Sequence, residues 1–239
     1  MRNTLAIMQR ELLSLFYSPI GYVVIAGFLV LTGVIMWRGE SFGPGKPASL
    51  RDVFAFAPYL LTIVVPAICM RSLSEEYRSG TFESLITAAV SDAQLVLGKY
   101  LAAMVFYTVM LAGTLVYLLL MIAYGSPDLG VAAASYLGLL LVGSMFASFG
   151  ILASSLTRDQ MVAWIIGAVP MMLLVWFAAA IVVELQGGLR MFVQTINIRR
   201  YLDLFYQGLV TLEGVVFFLA TTALFLFLSI KVVESRRWR

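Results

Sequence analysis

The stretch MRSLSEEYRSGTFESLITAAVSDAQLVLGKYL, Met70 to Leu101, separates two apolar runs and carries Arg71, Glu75, Glu76, Arg78, Glu83, Asp92 and Lys99. Its pattern reads as two short amphipathic helices joined at Gly80. Ser72 with Glu75 has capping-box spacing, and so does Ser91 with Gln94 just before the next apolar run. Phe82, Leu85 and Ile86 fall at i, i+3 and i+4, which gives the second helix one greasy face. A short helix of this kind, charged on one side and lying across a membrane surface, suits docking to another protein.

Whether there is a membrane at all is settled by composition. Charged residues make up 12% of the 239-residue chain, hydrophobic residues 62%, and mean hydropathy is +0.96. Soluble domains carry roughly 25% charge. The charges are also clumped, and the long uncharged runs between them are the signature of a polytopic membrane protein. The net charge of +3 does not point to nucleic acid, because the basic residues flank apolar spans and form no stripe. Cys69 is the single cysteine, so no intrachain disulfide is possible. There is no histidine, which removes the commonest general base and the commonest zinc ligand.

Residues 1–18 form an arm. Leu5, Met8, Leu12, Leu15 and Phe16 recur at helical spacing, while Arg2, Gln9, Arg10 and Glu11 supply a polar side; the expectation is an amphipathic helix in the membrane interface. Glu11, Pro19 and the lack of a small-x-small site argue against a signal peptide. Ser18-Pro19 reads as a cap followed by proline at the first helical position. Residues 19–239 form one membrane domain. Its uncharged runs are Ile20 to Trp37, Val53 to Met70, Tyr100 to Ala123, Val131 to Leu156, Met161 to Val183 and Gly214 to Ile230. Each approaches the roughly 20 residues that cross a hydrocarbon core. Ser49 with Asp52, Ser126-Pro127 and Thr157 with Gln160 mark the starts of three of them. The fold class is therefore all-α: six transmembrane helices, an interfacial helix before them, a polar loop over 71–98, and interfacial or re-entrant helices within 184–213.

Counting Lys and Arg with the N-terminus inside places 10 on the cytoplasmic side and 6 outside, so both termini and the 71–98 loop are expected to be cytoplasmic. Pro66 and Pro170 interrupt apolar runs, where a missing N–H and a ring clash loosen a helix. Gly143, Ala147, Gly150 and Ser154 form a small-residue face that permits close helix approach. Both features also fit ordinary bundle packing. In the outer segment, Leu189, Phe192, Val193, Ile196, Leu202, Phe205 and Tyr206 suggest short helices dipping into the interface, either as a lid or as a surface connector.

No Asp, Glu, Lys or Arg stands in the middle of an apolar run. Ion-coupled transporters need such groups to bind and release the driving ion, and Ser144 and Ser148 have no base to activate them. Gly43-Pro44-Gly45-Lys46-Pro47 fails as a phosphate loop, with Glu40 where the first glycine belongs and Pro47 where Ser or Thr would reach magnesium. Energy for any uphill transport would have to enter from a partner.

Arg71-Ser-Leu-Ser-Glu75-Glu76-Tyr-Arg78-Ser-Gly80-Thr81-Phe-Glu83-Ser-Leu85, followed by Val90-Ser-Asp92 and Leu97-Gly98-Lys99-Tyr100, resembles the first cytoplasmic loop of type-2 ABC-transporter permeases. Gln207-Gly208-Leu-Val-Thr-Leu-Glu213, Phe217-Phe218-Leu and Val233-Glu234-Ser-Arg236-Arg237-Trp238 resemble the gliding-motility-associated branch of that family. Ala88-Ala89-Val90 departs from it where many relatives place a proline before the valine. The resemblance implies a permease of an exporter in the inner membrane of a prokaryote, in contact with membrane lipids. It implies pairing with a second permease copy or a homologous permease, and with two cytoplasmic ABC ATPase subunits. The ATPases bind the ATP, so the permease itself has no catalytic residue, cofactor or metal. By the same resemblance the loop is a coupling helix with Arg71 in the coupling site, and Glu75, Glu76, Arg78 and Glu83 would be rim charges against the ATPase. Phe82 and Leu85 would be apolar anchors, Gly80 the turn, and Thr81 a cap for the helix after it. The alternative is a non-conducting scaffold that only recruits an ATPase.

Overall fold

The computed structural model describes residues 2–38, 50–81, 91–125, 127–177 and 193–237. Helix α1 spans Arg2–Tyr17 and α2 Pro19–Arg38; α3 is Arg51–Cys69 and α4 Ser74–Ser79. Then come α5 (Asp92–Gly113), α6 (Leu115–Tyr124), α7 (Leu129–Leu156) and α8 (Gln160–Met172). One turn of π-helix (Leu173–Phe177), a short helix at 193–196, α9 (Ile198–Tyr206) and α10 (Leu212–Arg237) complete the chain. Among the described residues six segments are long and apolar enough to cross a membrane: α2, α3 with the turn and α4 after it, α5 with α6, α7, α8 with its π turn, and α10. The protein is an all-α polytopic membrane protein.

Helix α7 is the core, packing against α3, α5, α8, α9 and α10. Its small-residue face is what allows this. A Cβ on Gly143 would fall 2.7 Å from Tyr107 Oη and closer still to two ring carbons, and one on Gly150 would fall 2.8 Å from Cys69 Cβ. The Tyr107 hydroxyl donates to Leu139 O at 2.6 Å, and the Cys69 thiol to Ala147 O at 3.6 Å. Pro66 lies beside the same seam, with Gly150 and Gly167 turned toward it. This proline thus serves close helix packing. Pro170 lies inside α8, which runs on to Met172 before the π turn at Leu173–Phe177; the bond its missing N–H forgoes is the one to Ile166 O, in the turn before it.

Several start signals are replaced by others. Ser91 and Gln94 form the expected capping box. Helix α8, in contrast, is capped by Asp159, whose carboxylate accepts from Met161 N and Val162 N; Thr157 only accepts from Asp159 N. Asp128 caps α7 in the same manner. Leu50 precedes α3 without a side-chain cap, and Ser49 and Ser126 lie outside the described residues. The third apolar run is also longer than its hydropathy indicated. Its helix starts at Asp92, two turns before Tyr100, and breaks at Thr114, whose hydroxyl donates back to Leu111 O.

Helix α1 does more than lie in an interface. It packs along the first turns of α5, with Ile7 buried and Phe16 5.0 Å from the Phe106 ring, while Leu5 faces outward. Gly98 makes the approach possible, since a Cβ there would meet Ile7 Cβ at 2.9 Å. In the segment between α8 and α10, α9 buries Ile198, Tyr201, Leu202, Phe205 and Tyr206 against the bundle. It is therefore a packed element. Leu189 and Phe192 lie outside the described residues.

Candidate functional site

Ion pairs gather where α1, α4, the start of α5 and the ends of α7 and α10 meet. Lys99 is 1% exposed, although it lies within two turns of the start of a charged helix. Its ammonium donates to Glu11 Oε1 at 2.6 Å and to Glu76 Oε1 at 2.8 Å. The Arg10 guanidinium completes the knot, 3.0 Å from Glu76 Oε1 and 3.2 Å from Glu11 Oε1. Two cations face two carboxylates, the pairing that burial of Lys99 and Glu76 calls for, with Arg10 reaching in from the surface. Glu76 Oε1 takes both cations. Its other oxygen, Oε2, is buried with no hydrogen-bond donor among the described residues.

The rest of α4 is fixed from other directions. The buried Ser154 hydroxyl, on α7, accepts from Leu73 N at 3.0 Å and Ser74 N at 3.1 Å and donates to Met70 O at 3.1 Å. The Ser74 hydroxyl donates to the same carbonyl. This corrects the capping expectation: Leu73 occupies the cap position without a side-chain bond, and the orphan N–H groups at the helix start are met by Ser154 rather than by Ser72. From the other side Arg236 of α10 lies 4.4 Å over the Tyr77 ring and donates to Leu156 O, the last residue of α7, at 2.6 Å. A cation there also answers the negative end of that helix.

The opposite face of α4 is open. Glu75, Arg78, Ser79, Gly80 and Thr81 are exposed, and Arg71 makes an i,i+4 pair with Glu75 at 3.0 Å while also donating to Ser18 Oγ. Gly80 ends the helix at φ 74°, the left-handed region that glycine enters without penalty. The Ser79 and Thr81 hydroxyls are 2.9 Å apart. Of the nine residues expected to form this site, Glu75, Arg78, Gly80 and Thr81 share the open side with part of Arg71. Glu76 does not: it turns inward, so its reading as a rim charge gives way to one as an anchor, because Lys99 and Arg10 neutralise it inside. Phe82, Glu83 and Leu85 lie outside the described residues. Glu11, Lys99, Ser154 and Arg236 were missed as members of the site. Only Lys99 left a local trace: it shares a helix face with Leu95, Val96, Ala102 and Ala103, where a charge must be buried and paired.

Helix α4 is thus a polar helix with one open face, held to α1, α5, α7 and α10 on the other. Compared with known protein families, residues 13–172 match the one described as ABC-2 family transporter protein. The chain belongs to the ABC-2 transporter family. The match runs from within α1 to the end of α8 and so contains α4 and, of the charged knot, Glu76 and Lys99. Comparison with curated proteins finds no match. As an ABC-2 protein this chain is the membrane component of an ABC transporter, a kind of system that implies an ATPase partner.

Proposed function

We propose that this ABC-2 protein is the permease subunit of an ATP-driven exporter in a prokaryotic inner membrane. It works as a pair with a second copy or a homologous permease, and α4 with the segment after it seats on a cytoplasmic ATPase. The observation that carries the reading is the two-faced burial of α4: Ser74 and Glu76 are locked into the bundle while Glu75, Arg78, Ser79 and Gly80 stand exposed on the other side. A helix that only connected two spans would have no need for four separate anchors. Arg10, Arg71, Arg78, Lys99, Arg158, Lys231 and Arg236 all belong to this end of the bundle, which favours a cytoplasmic placement for it and for both termini. Uncharged span centres support an energy source outside the membrane. The tail from Gln207 to Trp238 supports placing the chain near the gliding-motility-associated permeases.

The test is co-purification with the cognate ATPase. Charge reversal by Glu75→Lys with Arg78→Glu alters only the open face and is expected to weaken association about thirtyfold, the effect of one lost interface hot spot. Gly80→Pro demands φ near −65° in place of +74°, and is expected to abolish recovery of the ATPase while the permease still inserts. Undiminished recovery with both variants would overturn the docking assignment. A scaffold would recruit the ATPase without transport-coupled ATP turnover in vesicles.

A further inference from the structure

The charged knot holds one group that the docking reading leaves unused. Lys99 sits on α5 and is the point where three helices meet. Its two shortest polar contacts run to different elements, Glu76 on α4 and Glu11 on α1. We infer that Lys99 is a positioning residue that makes α1, α4 and the start of α5 one rigid body, so that a push on α4 moves the N-terminal helix with it. The inference rests on the reading of α4 as a docking helix.

The chemistry favours lysine in this place. An ammonium is compact, offers three donors and accepts any directions for them, so it can satisfy two carboxylates from different helices. Gly98 beside it brings α1 close enough for Glu11 to reach. Glu76 Oε2, left without a donor, is a second landing place within the same carboxylate. A small rotation of α4 would hand Lys99 or Arg10 from one oxygen to the other and keep the charge paired. The bond to α7 is of another kind: it runs from the backbone of α4 to Ser154 and does not involve Lys99. Removing Lys99 should thus leave only the Arg10 guanidinium, more than half exposed and so a weak tie, holding α4 to α1, while α4 stays hung on α7.

Distances between spin labels test this in the full chain, reconstituted in lipid nanodiscs with and without the cognate ATPase. One pair joins Leu13→Cys on α1 with Ser79→Cys on α4; the other joins Ser79→Cys with Met161→Cys at the start of α8. All three positions are exposed. With Lys99 present both pairs are expected to give a single narrow peak, and the α1–α4 peak to stay unchanged on vanadate trapping of the ATPase. In Lys99→Met the α1–α4 peak is expected to broaden and to become nucleotide-dependent, while the α4–α8 peak stays narrow. Lys99→Arg, which keeps the charge but not the compact shape, should narrow the first peak only in part. Glu11→Gln, a milder change at a partly exposed side chain, should broaden the same pair alone. A narrow α1–α4 peak in Lys99→Met, or equal broadening of both pairs, overturns the inference, the latter because general loosening is what a merely structural lysine would produce. Failure of the unaltered permease to bind the ATPase overturns the proposed function instead; the contrast between the two label pairs is read equally well on the permease alone.

Discussion

Gly143→Ala is expected to cost about 3–5 kcal/mol, combining a core overpacked by one methyl with a buried hydroxyl pushed off its acceptor. The new methyl would occupy space held by the Tyr107 ring, which is fully buried between α5 and α7. The ring can yield only by swinging away from Leu139 O, to which its hydroxyl donates. Thermal unfolding in detergent, followed by tryptophan fluorescence, should show the midpoint falling by about 2–4 °C for each kcal/mol. The double variant Gly143→Ala with Tyr107→Leu makes the cause visible: it returns the space and should recover part of the loss, a non-additivity expected only of side chains in contact. An unchanged midpoint in Gly143→Ala would mean that α5 and α7 do not approach this closely.

Ser154→Ala is expected to cost about 2–4 kcal/mol, because it strips a buried partner from Leu73 N, Ser74 N and Met70 O together, and an unsatisfied buried polar group costs about 1–3 kcal/mol. Ser148→Ala supplies the internal comparison. That serine lies on the same helix and is just as buried, yet its hydroxyl donates only to Met145 O within α7; that carbonyl also serves the helix ladder, so about 1 kcal/mol or less is expected. The same melting measurement separates them. Limited proteolysis adds the location, since cleavage after Arg71 or Arg78 should accelerate in Ser154→Ala and not in Ser148→Ala. Equal behaviour of the two variants would show that the 70–74 turn is held by something other than Ser154.

What could be seen in the sequence follows from the range of the interactions. The lengths of uncharged runs report a local solvent preference, so six spans were legible. Gly80 and the Ser91–Gln94 box were legible because turn and cap chemistry acts over three or four residues. The Gly143–Ser154 face announced itself as a periodicity, although what fills it, Tyr107 and Cys69, did not. Glu76 was misplaced for the same physical reason. Its cation lies 23 residues away on α5, and the second carboxylate of the knot lies 88 residues before that lysine. No pattern along one helix encodes a charge pair made by packing α1 onto α5. Caps borrowed from another helix, such as Ser154 at the start of α4, escape in the same way, and Asp159 outcompeted Thr157 because a carboxylate next to the helix start reaches two N–H groups at once.

The two ends of the bundle are fastened by different means. At one end the Glu11–Lys99–Glu76–Arg10 knot ties α1, α4 and α5 together. At the other the helices meet through rings: Tyr136 edge-on to Phe54, Tyr206 stacked on it, Trp176 against Tyr59, and Arg199 over Tyr59. Ring contacts slide at little expense, whereas a paired charge away from water breaks steeply. The charged end is thus expected to resist parting more than the aromatic one, and amide exchange in α6 and α9 should outrun that in α4 and the first turns of α5.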